Sequence, residues 1–145
     1  MRSRTDDVLA GVPLFAGLSK HDLRAVSTLT TRLNLPAGRE LTRQGAPGHE
    51  FLIVLEGEVD VVIDGQVVAQ CGAGDFFGEI ALLEGRPRNA TVVARTDVVV
   101  DVIGRSEFSV LLEDRPEIAE KVRVAMAQRL AADAAIANRS TPSDP

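Results

Sequence analysis

Between Phe77 and Thr91 the sequence gathers a glycine, an acid and an arginine whose types and spacing suit the holding of a phosphate. The stretch reads Phe77-Gly78-Glu79-Ile80-Ala81-Leu82-Leu83-Glu84-Gly85-Arg86-Pro87-Arg88-Asn89-Ala90-Thr91, a short helical pattern flanked by glycines. A glycine before a helix lets backbone approach a ligand closely, and the unpaired N–H groups of a first helical turn favour an anion. Arg88 follows Pro87, which restricts the approach of Arg86, and precedes a strand, so its guanidinium could be held over the helix start as a bidentate phosphate clamp. Glu79 suits another task. An ionised carboxylate only accepts hydrogen bonds, so beside an anion it is placed to receive a sugar hydroxyl rather than the phosphate. One acid and one arginine together describe a sugar phosphate. On spacing alone, a surface ion pair between Glu79 and Arg88, worth under about 1 kcal/mol, accounts for the same two residues.

The elements that must carry this stretch are short and β-rich. Phe51–Leu55, Val59–Ile63, Val67–Ala69, Thr91–Ala94 and Val98–Ile103 read as strands, separated by Gly- and Pro-containing turns such as Gly45-Ala46-Pro47-Gly48 and Gly72-Ala73-Gly74-Asp75. Closely spaced strands with regular turns imply a sandwich or barrel. Asp64-Gly65 between two of the runs suits a type I′ hairpin, whose central residues both need positive φ. Ahead of the strands, Ser19-Lys20-His21-Asp22 forms a capping box for a helix over about residues 19–29, with Leu14 and Phe15 before it as packing anchors. After them, Ser106–Leu112 gives one or two helical turns. Asp114-Arg115-Pro116-Glu117 then opens a last helix, capped by Asp114, that runs to about Asn138 with Ile118, Val122, Met126, Leu130 and Ala134 on one stripe. Residues 139–145 are expected to be a disordered tail.

Composition narrows the function. The 145 residues fit one domain with one core, and 45% hydrophobic with 26% charged residues is ordinary globular composition. A net charge of -5 has the wrong sign for non-specific binding to a phosphate backbone, and five Phe with no Trp or Tyr leave few platforms for stacking bases. The single cysteine, Cys71, excludes an internal disulfide framework and fits a reducing compartment. No run of about 18 apolar residues is present for a membrane span, and the N-terminal residues lack the apolar core of a signal peptide.

The segment from Phe77 to Thr91 resembles the phosphate-binding cassette of cyclic nucleotide-binding domains: Phe-Gly-Glu, an aliphatic, Ala-Leu, a spacer, Pro-Arg, a small residue and Ala-Thr-Val, with every fixed position filled here. Leu14-Phe15, Gly17-Leu18-Ser19, Gly38, Gly45, Phe51-Leu52-Ile53-Val54, Gly57 and Gly74-Asp75 also sit where that family places them, so the resemblance covers about residues 13–138. It implies a mainly β fold with flanking helices: an eight-stranded, jelly-roll-like β-roll with an N-terminal helix over 13–104, and C-terminal hinge and lid helices over 105–138, within a single domain 1–138.

By the same resemblance Arg88 pairs with the cyclic phosphate and Glu79 accepts the ribose 2′-hydroxyl. Backbone N–H groups from Gly78 through Glu79, Ile80 and Ala81, and at Asn89 and Ala90, complete the phosphate contacts. Arg129 and Asp133, four residues apart on the last helix, are candidates for base contact, beside the plainer reading of an exposed ion pair. Asn89 departs from the family, which more often has Ala, Ser or Thr there, a hydroxyl being linked to cGMP in some members. The expected ligand is cAMP, favoured over cGMP because bacterial relatives mostly use it.

His21, on an exposed helix face, and His49, in a Gly-Pro turn, are too far apart to build the metal site of a cupin-like enzyme, so neither a metal nor a catalytic residue is expected. No cofactor is expected beyond the nucleotide. A helix-turn-helix module would have to follow the last helix, and the sequence ends first, so direct DNA binding is not expected. The resulting expectation is a cytoplasmic sensor module that signals through its last helix to an effector protein or domain of unknown identity. The helix stripe either serves a homodimer or packs on the β-roll. A degenerate β-roll serving only as a protein interaction domain is the alternative.

Overall fold

A computed structural model describes residues 9–79, 83, 85 and 87–140, with the side chains of 129, 130 and 132–140 excepted. Eight strands form two antiparallel sheets: β1 (Thr31–Leu35), β2 (Glu40–Thr42), β3 (Glu50–Glu56), β4 (Glu58–Ile63), β5 (Gln66–Gly72), β6 (Phe76–Phe77), β7 (Thr91–Ala94) and β8 (Val98–Gly104). The sheet orders are β1-β8-β3-β6 and β2-β7-β4-β5, so the chain passes repeatedly from one sheet to the other. This is the eight-stranded roll with flanking helices that the resemblance implied. The five strands read from the sequence are all present. β1, β2 and β6 are not among those five: ELT and FF are too short to show a pattern, and TRLNL offers only two leucines alternating with polar residues.

β3 explains why Phe51–Leu55 is one unbroken apolar run. Successive side chains of a strand face opposite sides, and both sides are buried here. Leu52 and Val54 meet Val59, Phe77, Val92, Val98 and Val100 between the sheets, whereas Phe51, Ile53 and Leu55 join a second cluster with residues of the helices. The Asp64-Gly65 hairpin has φ of 52° and 80°, as a type I′ turn requires.

Among the described residues, three α-helices pack beside the sheets: α1 (Lys20–Ser27), α2 (Arg105–Asp114) and α3 (Pro116–Ser140), preceded by a 3-10 turn at Pro13–Phe15. Ser19 caps α1 by accepting from the Asp22 backbone N–H at 3.1 Å. Leu14, Phe15, Leu23, Val26, Phe108, Leu111, Ile118 and Val122 cover the outer face of β3 and β8. Asp114 does not cap the last helix. It ends α2, and the break falls at Arg115 (φ −130°, ψ 81°), because the ring of Pro116 keeps the residue before it out of the helical region. α3 extends to Ser140, past the expected end near 138, and residues 141–145 lie outside the described residues. Ile118 and Val122 of the expected stripe are buried and Met126 is half-buried, while the side chains of Leu130 and Ala134 lie outside the description.

One buried charge was not legible in the strand pattern. Asp101 of β8 is fully buried on the helix-facing side, and Arg32 stands opposite it in register on β1. Arg32 donates from Nε to Oδ1 at 3.1 Å and from Nη2 to Oδ2 at 3.4 Å, which neutralises the carboxylate.

Candidate functional site

β6 brings the chain into the site. A turn over Gly72–Asp75 is knitted to β3 by Gly74 N–H to Val54 O and Val54 N–H to Asp75 O, each at 2.8 Å. The two residues of β6 then divide between the two cores, Phe77 against the inner cluster and Phe76 against Phe51, with ring centroids 5.3 Å apart. Gly78 follows with φ +104°, a conformation that L side chains rarely adopt. A Cβ at this position would stand 2.5 Å from Arg88 Nη1 and 2.5 Å from the Glu50 carbonyl oxygen. The glycine is therefore required twice, by its backbone angle and by the guanidinium packed on it.

Arg88 is held from three sides. Its backbone N–H donates to Ala46 O and its carbonyl accepts from Gly45 N–H, both at 2.8 Å, while its Nη2 donates to Glu50 O at 2.9 Å. The side chain is only 9% exposed, and Glu79 is 1% exposed. Nη1 of Arg88 is buried and has no hydrogen-bond partner among the described residues. Burial pushes the guanidinium below its ordinary pKa, and the charges of Glu50 and Glu79 pull it back up. Arginine stays cationic in such settings, so the site presents a fixed positive charge with donor capacity to spare. A buried donor without a partner is costly, and an anion brought to Nη1 would relieve that cost.

Burial removes one of the two readings of Glu79 and Arg88. A surface ion pair is excluded, because both side chains are buried. Gly78 and Glu79 come together with Arg88, and Asn89 stands exposed between Arg88 and the buried Ala90. Ala90 O accepts from the Thr42 hydroxyl at 2.9 Å, and the same hydroxyl accepts from Val92 N–H at 3.1 Å, fixing the start of β7. Ile80 and Ala81 lie outside the described residues. Arg129 and Asp133 fall on α3, and their side chains lie outside the description as well.

Sequence reasoning missed the supports. Gly45-Ala46-Pro47-Gly48 reads only as a turn, yet its backbone anchors Arg88, and Glu50 contributes through its carbonyl, which no residue type announces. His21 and His49 are both exposed. Among the described residues no group of three His, Cys, Asp or Glu side chains is placed to hold a metal ion, and no helix is long and apolar enough to cross a membrane.

The family model for the cyclic nucleotide-binding domain matches residues 32–115. A cyclic nucleotide-gated potassium channel of Rhizobium etli is 39% identical over 127 residues, 87% of this chain and 35% of the channel. A cAMP-dependent protein kinase regulatory subunit of Aspergillus fumigatus is 38% identical over 107 residues, 72% of this chain and 26% of that protein. The chain thus spans about a third or less of the length of these relatives. Among solved structures, the catabolite activator protein of Thermus thermophilus superposes with a TM-score of 0.76 at 29% identity, covering 88% of this chain and 63% of that one. A cyclic nucleotide-binding domain from Methylobacillus flagellatus gives 0.73 at 26% identity, covering 97% and 84%.

Proposed function

The chain belongs to the cyclic nucleotide-binding domain family, and from that premise we propose that it binds cAMP in preference to cGMP and passes the binding event on through α3. The observation that carries the reading is Arg88: a buried guanidinium whose Nη2 is already taken by Glu50 O and whose Nη1 is left for an exocyclic phosphate oxygen. Glu79 receives the ribose 2′-hydroxyl, and the backbone N–H groups following Gly78 complete the cradle. No bond is made or broken, so the domain is regulatory rather than catalytic. The preference for cAMP draws on relatives that are cAMP-dependent kinase subunits and on the absence of a hydroxyl side chain at Asn89.

The output runs through the helices. Phe51 stacks on Phe108 of α2 with centroids 4.5 Å apart and also touches Phe76 of β6, so the strand leading into the cradle and the first C-terminal helix share one aromatic neighbour. Beyond Arg115, α3 docks through Ile118 and Val122, and Lys121 donates to the carbonyls of Pro13, Leu14 and Ala16 at 3.1, 3.5 and 3.4 Å. A nucleotide that favours one placement of this helix over another shifts the population, and a cytoplasmic effector protein or a second copy of the chain reads the shift. Arg129 and Asp133 are the positions on α3 from which the base would be contacted.

Calorimetric titration with cAMP and with cGMP tests the reading, the absence of Trp making intrinsic fluorescence a poor probe. Micromolar or tighter binding of cAMP, with cGMP weaker, is the expected result. Heat from neither nucleotide would replace this reading with that of a protein interaction domain.

A further inference from the structure

We infer that Arg105 is a positioning residue for Arg88, setting the place of the phosphate-binding guanidinium through the Gly45–Gly48 turn. The inference rests on the reading of Arg88 as the phosphate anchor. Arg105 Nη2 donates to the carbonyl oxygen of Gly48 at 3.1 Å. That turn in turn fixes the backbone of Arg88 through the Ala46 carbonyl and the Gly45 N–H, both at 2.8 Å. Next to Arg105, Gly104 pairs in register with Glu50, the residue whose carbonyl holds Arg88 Nη2. The start of α2 therefore reaches Arg88 by two short routes, one through the strand ladder and one through the Arg105 side chain.

Two features argue that the second route matters. A cavity of about 190 Å³ lies among the turn, Gly85, Pro87 and Arg105. Arg105 lines this opening together with Gly45, Pro47 and Gly48, and its hydrogen bond to Gly48 O links helix and turn beside it. Arg105 is also the first residue of α2, where a cation opposes the helix dipole. Its place there is unfavourable for the helix itself, so alanine at this position does not weaken α2 and a loss of binding would not trace to helix fraying. In this arrangement a displacement of α2 moves the turn and with it the arginine, giving the helix and the phosphate a shared part.

The test uses the whole chain labelled with 15N, with Arg105→Ala and Arg105→Lys beside the wild type. The Nε–Hε signal of Arg88 is recorded without nucleotide, and cAMP affinity is measured by calorimetry. The Arg88 signal is expected to move in Arg105→Ala and to return in Arg105→Lys, which keeps a donor. Affinity is expected to fall about fivefold in the first and recover in the second, with an unchanged thermal midpoint. An unmoved Arg88 signal, or a moved signal with wild-type affinity, overturns the inference. Should the wild type itself bind no cyclic nucleotide, the failure belongs to the nucleotide reading, and the Arg88 signal alone then decides the positioning role.

Discussion

Gly78 and Arg88 are built against each other: a Cβ on the glycine would lie 2.5 Å from Nη1 of the arginine, the nitrogen that no described residue satisfies. The two residues are ten positions apart in sequence, yet the seat of the arginine depends on the missing side chain of the glycine. Gly78→Ala must adopt a φ of +104° and also push the guanidinium off its seat. The expected outcome is a loss of cAMP affinity of at least about tenfold together with about 1–3 kcal/mol of stability, the usual cost of a strained backbone position. Calorimetry and urea unfolding measure the two effects separately, and wild-type affinity in this variant would mean that Arg88 can bind phosphate from another place.

The pair of Arg32 and Asp101 makes a prediction about stability alone. Removing Arg32 leaves a fully buried carboxylate without its counter-charge, whereas Arg32 itself keeps some access to water. Arg32→Ala is expected to cost about 2–3 kcal/mol, less than for a fully buried pair because Arg32 is partly exposed, while Arg32→Leu combined with Asp101→Leu costs less than the single change. Urea midpoints of the single and double variants check this. A double variant less stable than Arg32→Ala would show that the pair contributes net stability.

Lys121 ties α3 to the 3-10 turn at Pro13–Phe15 by reaching three carbonyls at once. Lys121→Met keeps the aliphatic stem and removes only the donors. Because the ammonium is exposed, the expected loss is modest, about 1 kcal/mol or a fall of about 3 °C in the thermal midpoint. Amide exchange should quicken at Phe15, Ala16 and Leu18 while the rates in β3 and β8 hold. Unchanged exchange at the turn would show that Ile118 and Val122 dock the helix by themselves.

The legible parts of this sequence were those that depend on local chemistry. Asp64-Gly65 announces a hairpin because few residues accept positive φ in succession, and Ser19 announces a cap because its oxygen reaches a free N–H. Gly78, Glu79 and Arg88 stood out in the sequence for the same reason, since each type carries a distinct donor or acceptor role, and the structure buries the acid and the arginine and packs the arginine on the glycine. What escaped reading was what tertiary structure adds. β6 has only two residues, and its pairing depends on β3. Asp114 has the right type for a cap, but Pro116 moved the break to Arg115. The anchors of Arg88 are backbone atoms of Gly45, Ala46 and Glu50, and a carbonyl is the same in every residue. Asp101 sits in the run Val98–Ile103, and nothing local in that run announces that helices cover its face and bury it against Arg32.

The central claim is that Arg88 receives the phosphate of a cyclic nucleotide, and the most direct measurement compares wild type and Arg88→Ala by calorimetric titration with cAMP. Loss of a charge-assisted contact worth about 3 kcal/mol predicts a weakening of about a hundredfold or more. The thermal midpoint without ligand is expected to fall, because the buried Glu79 loses a nearby counter-charge and Glu50 O loses its donor, so the titration is run well below the midpoint of both proteins. Equal affinity for cAMP in the two proteins would contradict the account.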